Sequence, residues 1–388
     1  MKEKQRVVFI DSYINIEYIN QIITNGQSIG DVLTVSNNKV TPSTAPLSDT
    51  LSHATLCTKM FLEHTTCACE LFFINIWEND ELNANINALL IALSWCLEND
   101  ITLINLSLGT TRIADMPELF GIVNHLTEKN IITVAANSNA RKLTFPASFD
   151  HVIGVKALES KSGEVGFIYQ ETSIDRIDVS CYVKDEVIAY KDHHYPLYAA
   201  NSLATPIISA KICNFLNEGY HSIEQIKIKL EEDSLHASHN QDDKIYKKYF
   251  TKKIEIPVIA VMSDHHTELF DIVSLIQELL MGFSKQGYHG VCLSENDPTN
   301  LPNKALNLID FENYSSVEKL HFYTHYCNIE YIIVKGSKKF LFEDLKTVEI
   351  DIILYHSEFN NLKEAPVITF SKHTDFEVLF DQIYSYLS

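Results

Sequence analysis

The sequence is poor in positive charge: 31 Lys and Arg stand against 51 Asp and Glu, for a net charge of −20. Non-specific binding to nucleic acid or to anionic lipid needs a positive field, so neither partner is expected. The negative charge divides about evenly at residue 256, so no separate acidic tail carries it. Cysteine is sparse too, with 8 in 388 residues, whereas a disulfide-built fold is short and cysteine-dense. Cys67 and Cys69 form a C-x-C pair with soft-metal chemistry, but no second pair lies nearby in the sequence. They read as free thiols at the start of a strand, and neither metal nor cofactor is expected. Long apolar runs are absent as well. The run from Val7 to Ile10 stops at Asp11, too early for a signal peptide, and Ala88 to Leu97 is amphipathic and too short to span a bilayer. These absences predict a soluble, cytoplasmic protein.

What is present is a large apolar chain. With 46% apolar residues over 388, it is long enough for two domains, each burying its own core. Up to about Gly219, short apolar runs alternate with helical periods. Arg6 to Ile10, Leu71 to Ile76, Leu103 to Leu106, Ile131 to Ala135 and Val152 to Val155 read as buried strands, and Asn85 to Glu98 and Met116 to Lys129 as amphipathic helices. Repetition of strand, helix, strand implies a mainly parallel sheet covered on both faces. Around residues 236–255 the composition turns polar and charged, which marks a linker. The expected organisation is one domain over 1–235, a linker over 236–255 and a smaller α/β domain over 256–388. In the last, strands are expected at Ile256 to Met262, Gly290 to Leu293, Ile329 to Val334, Ile350 to Tyr355 and Val367 to Phe370, and helices at Leu269 to Ser284 and Asp375 to Leu387.

In parallel α/β sheets, chemistry gathers where strands end and helices begin. Three polar residues break apolar patterns at such places. Asp11 follows Val7-Val8-Phe9-Ile10, His53 opens a helix running to about Glu63, and Ser202 lies in the first turn of an apolar helix ending near Gly219. Each has an ordinary structural explanation as a cap or turn residue. Together, in the chain order Asp, His, Ser, they match one serine-hydrolase arrangement.

Six segments in order then resemble the subtilisin family over about residues 6–218. Asp11-Ser12-Tyr13 is similar to its Asp-Ser/Thr-Gly, His53-Ala54-Thr55-Leu56 to its His-Gly-Thr-His, and Ala200-Asn201-Ser202-Leu203-Ala204-Thr205-Pro206 to its Gly-Thr-Ser-Met-Ala-Thr-Pro. Between them, Ile104-Asn105-Leu106-Ser107-Leu108-Gly109 is similar to the cleft strand, Val134-Ala135-Ala136-Asn137-Ser138 to the oxyanion segment, and Phe145-Pro146-Ala147 to the Tyr-Pro-Ala beyond it. The resemblance implies a three-layer subtilisin-like fold and a serine endopeptidase. Asp11, His53 and Ser202 would be its triad, with oxyanion donors at Asn137 and the Ser202 amide. The substrate, a peptide or protein, would lie against Leu106, Ser107, Leu108 and Gly109, with Ala135 and Ala136 lining the first specificity pocket. Arg141 and Lys142 near that pocket would act mildly against basic side chains.

Departures from the family pattern bear on that expectation. Tyr13, Ala54, Ala136 and Ala200 occupy glycine positions, and Asn201 replaces Thr. Added methyl groups would narrow the cleft, so a selective processing enzyme is expected, such as one removing a leader from a natural-product precursor. The alternative is a weak or inactive peptide-binding scaffold. The second domain, Rossmann-like in rhythm, would recruit a substrate or partner protein. Its first turn, Ser263-Asp264-His265-His266-Thr267, has neither the glycines nor the Lys of a phosphate loop.

Overall fold

The computed structural model describes residues 4–24, 26–43, 50–77, 85–160, 163–170, 175–235, 249, 252–262, 269–295, 315–356, 367–370 and 375–387. Its contacts divide the chain into two compact units, Met1–His239 and Asn240–Ser388. Most of the polar stretch at 236–255, and the turn after Met262, lie outside the described residues.

The first unit is built on a nine-stranded sheet. In chain order its strands are β1 (Gln5–Asp11), β2 (Ser28–Ser36), β3 (Lys39–Pro42), β4 (Cys69–Asn75), β5 (Leu103–Leu106), β6 (Ile132–Ala136), β7 (Ile153–Glu159), β8 (Phe167–Tyr169) and β9 (Val179–Val183). They lie side by side in the order β3-β2-β4-β1-β5-β6-β7-β9-β8. Every pairing is parallel except those of β3 on β2 and β8 on β9 at the two edges. Central strands buried on both faces need largely apolar residues. β1, β5 and β6 are buried along their length, with only Arg6 left partly accessible, and are apolar but for Gln5, Arg6, Asn105, Thr133 and the terminal Asp11. Asp11 is therefore an exception with a purpose: it is wholly buried at the C-terminal end of the middle of the sheet.

Helices cover the sheet. α1 (Ile16–Ile22), α2 (His53–His64), α3 (Ile86–Glu98), α4 (Met116–Glu128), α5 (Asn201–Glu218) and α6 (Ile223–Glu232) follow in sequence. The expected helices at 85–98 and 116–129 form within a residue of their predicted ends. α5 packs its buried Leu203, Ala204, Ile208 and Ile212 into the same core as Val7, Phe9, Val134 and Val155. It carries Pro206 inside the helix, where proline removes the N–H that would bond the Ser202 carbonyl, and ends on Gly219 at φ 108°, in the left-handed region that glycine enters freely. At Gly154 the reason for glycine is contact: a Cβ there would lie 2.2 Å from the Ala147 carbonyl oxygen.

Two features were not expected. β10 (Glu186–Tyr190) and β11 (His193–Leu197) form a separate antiparallel hairpin. His193 and His194 alternate across it, both exposed. Its polar composition hides it from periodicity, and tertiary contacts hold it: Tyr190 meets Tyr18 edge-on at 5.2 Å, Lys59 reaches Glu186 at 2.9 Å, and the Leu51 N–H donates to the Tyr195 hydroxyl at 3.1 Å. The second is a buried ion pair of Lys156 Nζ and Asp175 Oδ2 at 2.6 Å, with the Asp175 side chain 0% exposed. Removing one partner of such a pair leaves a charge in a medium that cannot solvate it. Lys156→Met is expected to cost about 3–5 kcal/mol, read as a lowered urea midpoint, and Lys156→Met/Asp175→Leu to recover much of that loss.

In the second unit β12 (Val258–Met262), β13 (Gly290–Ser294), β14 (Tyr331–Gly336), β15 (Ile352–His356) and β16 (Val367–Phe370) form a parallel sheet in the order β13-β14-β12-β15-β16. α7 (Leu269–Lys285) and α9 (Phe376–Leu387) share one core with it, and α8 (Ser316–Tyr326) opens on a Ser315–Glu318 capping box. The α/β layering is as expected, while the order of the described strands does not establish the Rossmann-like label. Counted within the described strands of this unit it reads 2-3-1-4-5, whereas dinucleotide-binding sheets read 3-2-1-4-5.

Candidate active site

Asp11 and His53 meet because β1 ends where α2 begins. Ser52 caps α2 by accepting from the Thr55 N–H at 3.2 Å, and its own hydroxyl donates to the Tyr13 carbonyl. The Ala54 N–H donates to Ser12 Oγ at 3.1 Å, and the Asn15 N–H to Thr55 Oγ1 at 2.9 Å. Three of these bonds strap the segment that follows β1 to the first turn of α2. His53 Nδ1 lies 2.9 Å from both Asp11 carboxylate oxygens. One of those oxygens also accepts from the Ser12 N–H at 2.6 Å. The Asp11 side chain is 1% exposed and the His53 ring 36% exposed, so the buried carboxylate holds one ring edge and the other remains open to a partner.

Ser202 is brought to this place through its backbone. Its carbonyl oxygen accepts from Ser107 Oγ at 2.8 Å and from the Cys57 thiol at 3.4 Å. Cys57 lies one turn along α2 from His53, and its sulfur is 3.8 Å from both ring nitrogens. The sulfur therefore touches the His53 ring and the Ser202 backbone at once. Asp11, His53 and Cys57 each bring one ligand-type atom within 4.8 Å of the others, a set chemically able to hold a soft cation. The Cys57 sulfur first, and Asp11 after it, pushes the His53 imidazole above its ordinary value, against the downward pull of burial.

Asn137 continues β6, with its N–H on the Val155 carbonyl at 2.8 Å. Its Oδ1 accepts from the Ser138 N–H at 2.8 Å, which leaves the amide nitrogen as its donor end. Asn201, a departure from the family pattern, links the parts. Its Nδ2 donates to the Asn137 carbonyl at 3.0 Å while its Oδ1 accepts from the Ala157 N–H at 2.8 Å. The residue preceding Ser202 is thereby pinned to β6 and β7 together. Two more residues, Ser209 and Asn105, were missed in the sequence reading. The buried Ser209 hydroxyl donates to Asn105 Oδ1 at 2.9 Å, and Asn105 Nδ2 donates to Ser107 Oγ at 3.1 Å. This chain ends on the Ser202 carbonyl. A polar Asn inside the strand Leu103-Ile104-Asn105-Leu106 was the signal that could have revealed it, since a buried amide requires partners.

The expected substrate wall is only partly available. Leu106 and Ala135 are 0% exposed, and the Ser107 hydroxyl donates to the Ser202 carbonyl. Leu108 and Gly109 keep exposed surface. A Cβ on Gly109 would lie 2.8 Å from the Phe145 carbonyl oxygen, so that strip runs close beside the 144–145 segment. The expected narrowing by added methyl groups is corrected as well: Ala54 is 2% and Ala136 4% exposed, so their methyls are absorbed by packing. Tyr13, hydrogen-bonded to Thr50 Oγ1 at 3.3 Å, and Ala200 are the glycine replacements that remain partly accessible.

No family model matches the chain. Over 131 residues, 33% of the chain, the sequence is 28% identical to the minor extracellular protease Epr of Bacillus subtilis (strain 168). The match spans only 20% of that protein's length. Among solved structures, the nisin leader peptidase NisP from Lactococcus lactis is similar at 15% identity and a TM-score of 0.47, covering 61% of this chain and 84% of that one. The prenylagaramide maturation protease PagA is similar at 17% identity and a TM-score of 0.39, covering 63% and 82%. A cold-adapted subtilisin-like serine proteinase is similar at 12% identity and a TM-score of 0.44, covering 63% and 87%.

The mainly parallel sheet, with an Asp at the end of its central strand and a His and a Ser opening two helices beside it, defines the first unit as a subtilisin-like α/β domain. In sequence over the matched residues, and in the layering of its sheet and helices, it is similar to the subtilisin-like serine peptidases.

Proposed function

We propose that the first unit is a serine endopeptidase in which Asp11, His53 and Ser202 form the triad. The observation that carries this reading is the two-oxygen hold of buried Asp11 on His53 Nδ1, beside a Ser202 backbone fixed by Ser107 and Cys57. Asp11 selects the tautomer with the proton on Nδ1, which leaves Nε2 free to take the Ser202 proton as the hydroxyl attacks a peptide carbonyl. Asp11 then stabilises the imidazolium, which returns the proton to the leaving amine. The tetrahedral oxyanion would be met by Asn137 Nδ2 and the Ser202 N–H at the start of α5, where the helix dipole adds to them. Labelling of the full chain by a fluorophosphonate probe, lost in Ser202→Ala and retained in Ser209→Ala, tests the assignment; equal labelling of the Ser202→Ala protein would refute it.

The finer reading is a selective processing enzyme acting on the leader of a precursor peptide in the cytoplasm, with the second unit recruiting the substrate or a partner protein. Among the described residues no helix is long and apolar enough to cross a membrane. Mass spectrometry of peptides cut by the wild type and spared by Ser202→Ala reads the cleavage site directly.

Cys57 supplies a pH prediction. His53 must be neutral to accept the serine proton, and a raised imidazole value keeps the protonated, inactive form to higher pH. Cys57→Ala removes the largest upward cause, so the acid limb of kcat/KM is expected to move to lower pH. A limb that stays in place in Cys57→Ala would show that the sulfur does not charge the ring.

A further inference from the structure

Cys67 reads from sequence as half of a C-x-C pair with no second pair nearby. The fold supplies the missing partner from 146 residues further on: Cys213 Sγ lies 3.0 Å from Cys67 Sγ. Cys67 sits in the connection between α2 and β4, Cys69 is the first residue of β4, and Cys213 lies on the buried face of α5. The approach is held by independent contacts. Asn214, next to Cys213, accepts from the Thr66 N–H at 2.9 Å, and its Nδ2 donates to the His64 carbonyl at 3.4 Å. The two segments are thus already fastened to each other on either side of the sulfurs.

We propose that Cys67 and Cys213 are a reversible dithiol–disulfide pair, a covalent modification site that staples the connection following α2 to α5. A disulfide has its sulfurs about 2.05 Å apart, so closure asks for a movement of about 1 Å. The required co-reactant is a small-molecule disulfide. The Cys67 thiolate attacks one of its sulfurs, forming a mixed disulfide and releasing one small thiol. The Cys213 thiol then loses its proton and attacks the Cys67 sulfur, releasing the second. Two protein thiols are oxidised, one external disulfide is reduced to two thiols, and the two protons pass to the leaving sulfurs.

The three cysteines differ in readiness for these roles. Cys67 keeps 7% exposure, while Cys69 and Cys213 have none, so an external disulfide meets Cys67 first. Hydrogen bonding from Cys213 and then Cys69 holds the Cys67 sulfur well below the ordinary cysteine range, in the direction that favours a thiolate. Burial pushes the isolated thiols of Cys96, Cys181 and Cys292 the other way. The staple does not depend on whether Ser202 cuts peptides, so its test stands apart from that reading.

The experiment equilibrates the full chain with glutathione disulfide, alkylates the remaining thiols after denaturation, and maps the peptides. The expected result is a Cys67–Cys213 linked peptide that dithiothreitol reverses. The melting temperature should also rise, by roughly 5–15 °C, because a link across so long a loop restricts the unfolded chain. Cys67→Ala and, separately, Cys213→Ala should lose both effects, while Cys181→Ala should keep both. Recovery of Cys67 and Cys213 individually alkylated, or of Cys67 joined to Cys69 or only to glutathione, would overturn the pairing. A linked peptide with no change in melting temperature would overturn the stapling role.

Discussion

Ser202→Ala is expected to reduce peptide cleavage by roughly 10⁴–10⁶-fold while leaving the fold intact. The size follows from the chemistry: without the hydroxyl no acyl-enzyme forms, and what remains is the contribution of binding and the oxyanion donors. The fold should survive because the structural contacts of residue 202 run through its backbone. Its carbonyl accepts from Ser107 and Cys57, and alanine retains that carbonyl. Ser202 lies in the first turn of α5, where alanine is a good helix former. The check is turnover of a peptide found to be cut by the wild type, together with an unchanged melting curve. A variant that keeps a tenth or more of wild-type turnover would remove Ser202 from the chemistry and favour the peptide-binding scaffold.

Asp11→Asn is expected to cost about 10⁴-fold in kcat with a far smaller change in KM. Asn can accept from His53 Nδ1 through one atom only, and its amide hydrogens favour the opposite tautomer, with the ring proton on Nε2 facing the serine. The wild-type carboxylate offers Nδ1 two oxygens at equal distance, both acceptors, so it selects a single tautomer whichever oxygen is used. Asp11 is wholly buried, so no water can take over that selection. The imidazolium formed in the reaction would also lose its counter-charge. Activity loss confined to KM would instead point to a role in shaping the cleft.

Much of the architecture was readable because buried parallel strands must be largely apolar. Leu103–Leu106 and Val367–Phe370 form at the expected residues, and β1, β4 and β6 agree within two residues at either end. Helix ends were legible where a side chain caps them, as Asn85 and Ser52 do. The 186–197 hairpin was not legible, since its Lys, Asp, His and Tyr residues carry no period and its stability comes from Tyr18, Lys59 and Leu51, all distant in the chain. The order of the second unit's sheet was hidden for a related reason. Strands with the same apolar pattern can be neighbours in several orders, and only their packing with α7 and α9 selects one.

At the candidate site the division is sharper. Asp11, His53 and Ser202 stood out because each is a polar residue breaking an apolar pattern at the end of a strand or the start of a helix. Asn201 showed only as a departure from a motif, and Cys57, Asn105 and Ser209 as unremarked residues within helices or a strand. In three dimensions Asn201 joins Asn137 to Ala157, and the others converge on His53 or toward the Ser202 carbonyl. Of the four residues at glycine positions that pointed to a tight cleft, Ala54 and Ala136 are buried, with their methyls spent in packing.

The sequence by itself determined the fold class, the mainly parallel first sheet and the residues able to do acid–base and nucleophilic chemistry, because backbone burial and side-chain chemistry are local properties. Tertiary structure alone decided which of those residues meet. The two-oxygen contact of Asp11 with His53, the position of Cys57 between His53 and Ser202, and the approach of Cys213 to Cys67 all join residues distant in the chain or set by packing between helices. Such meetings depend on how α2 and α5 lie against one sheet, and that is settled by the shape of their shared core, which no residue encodes alone.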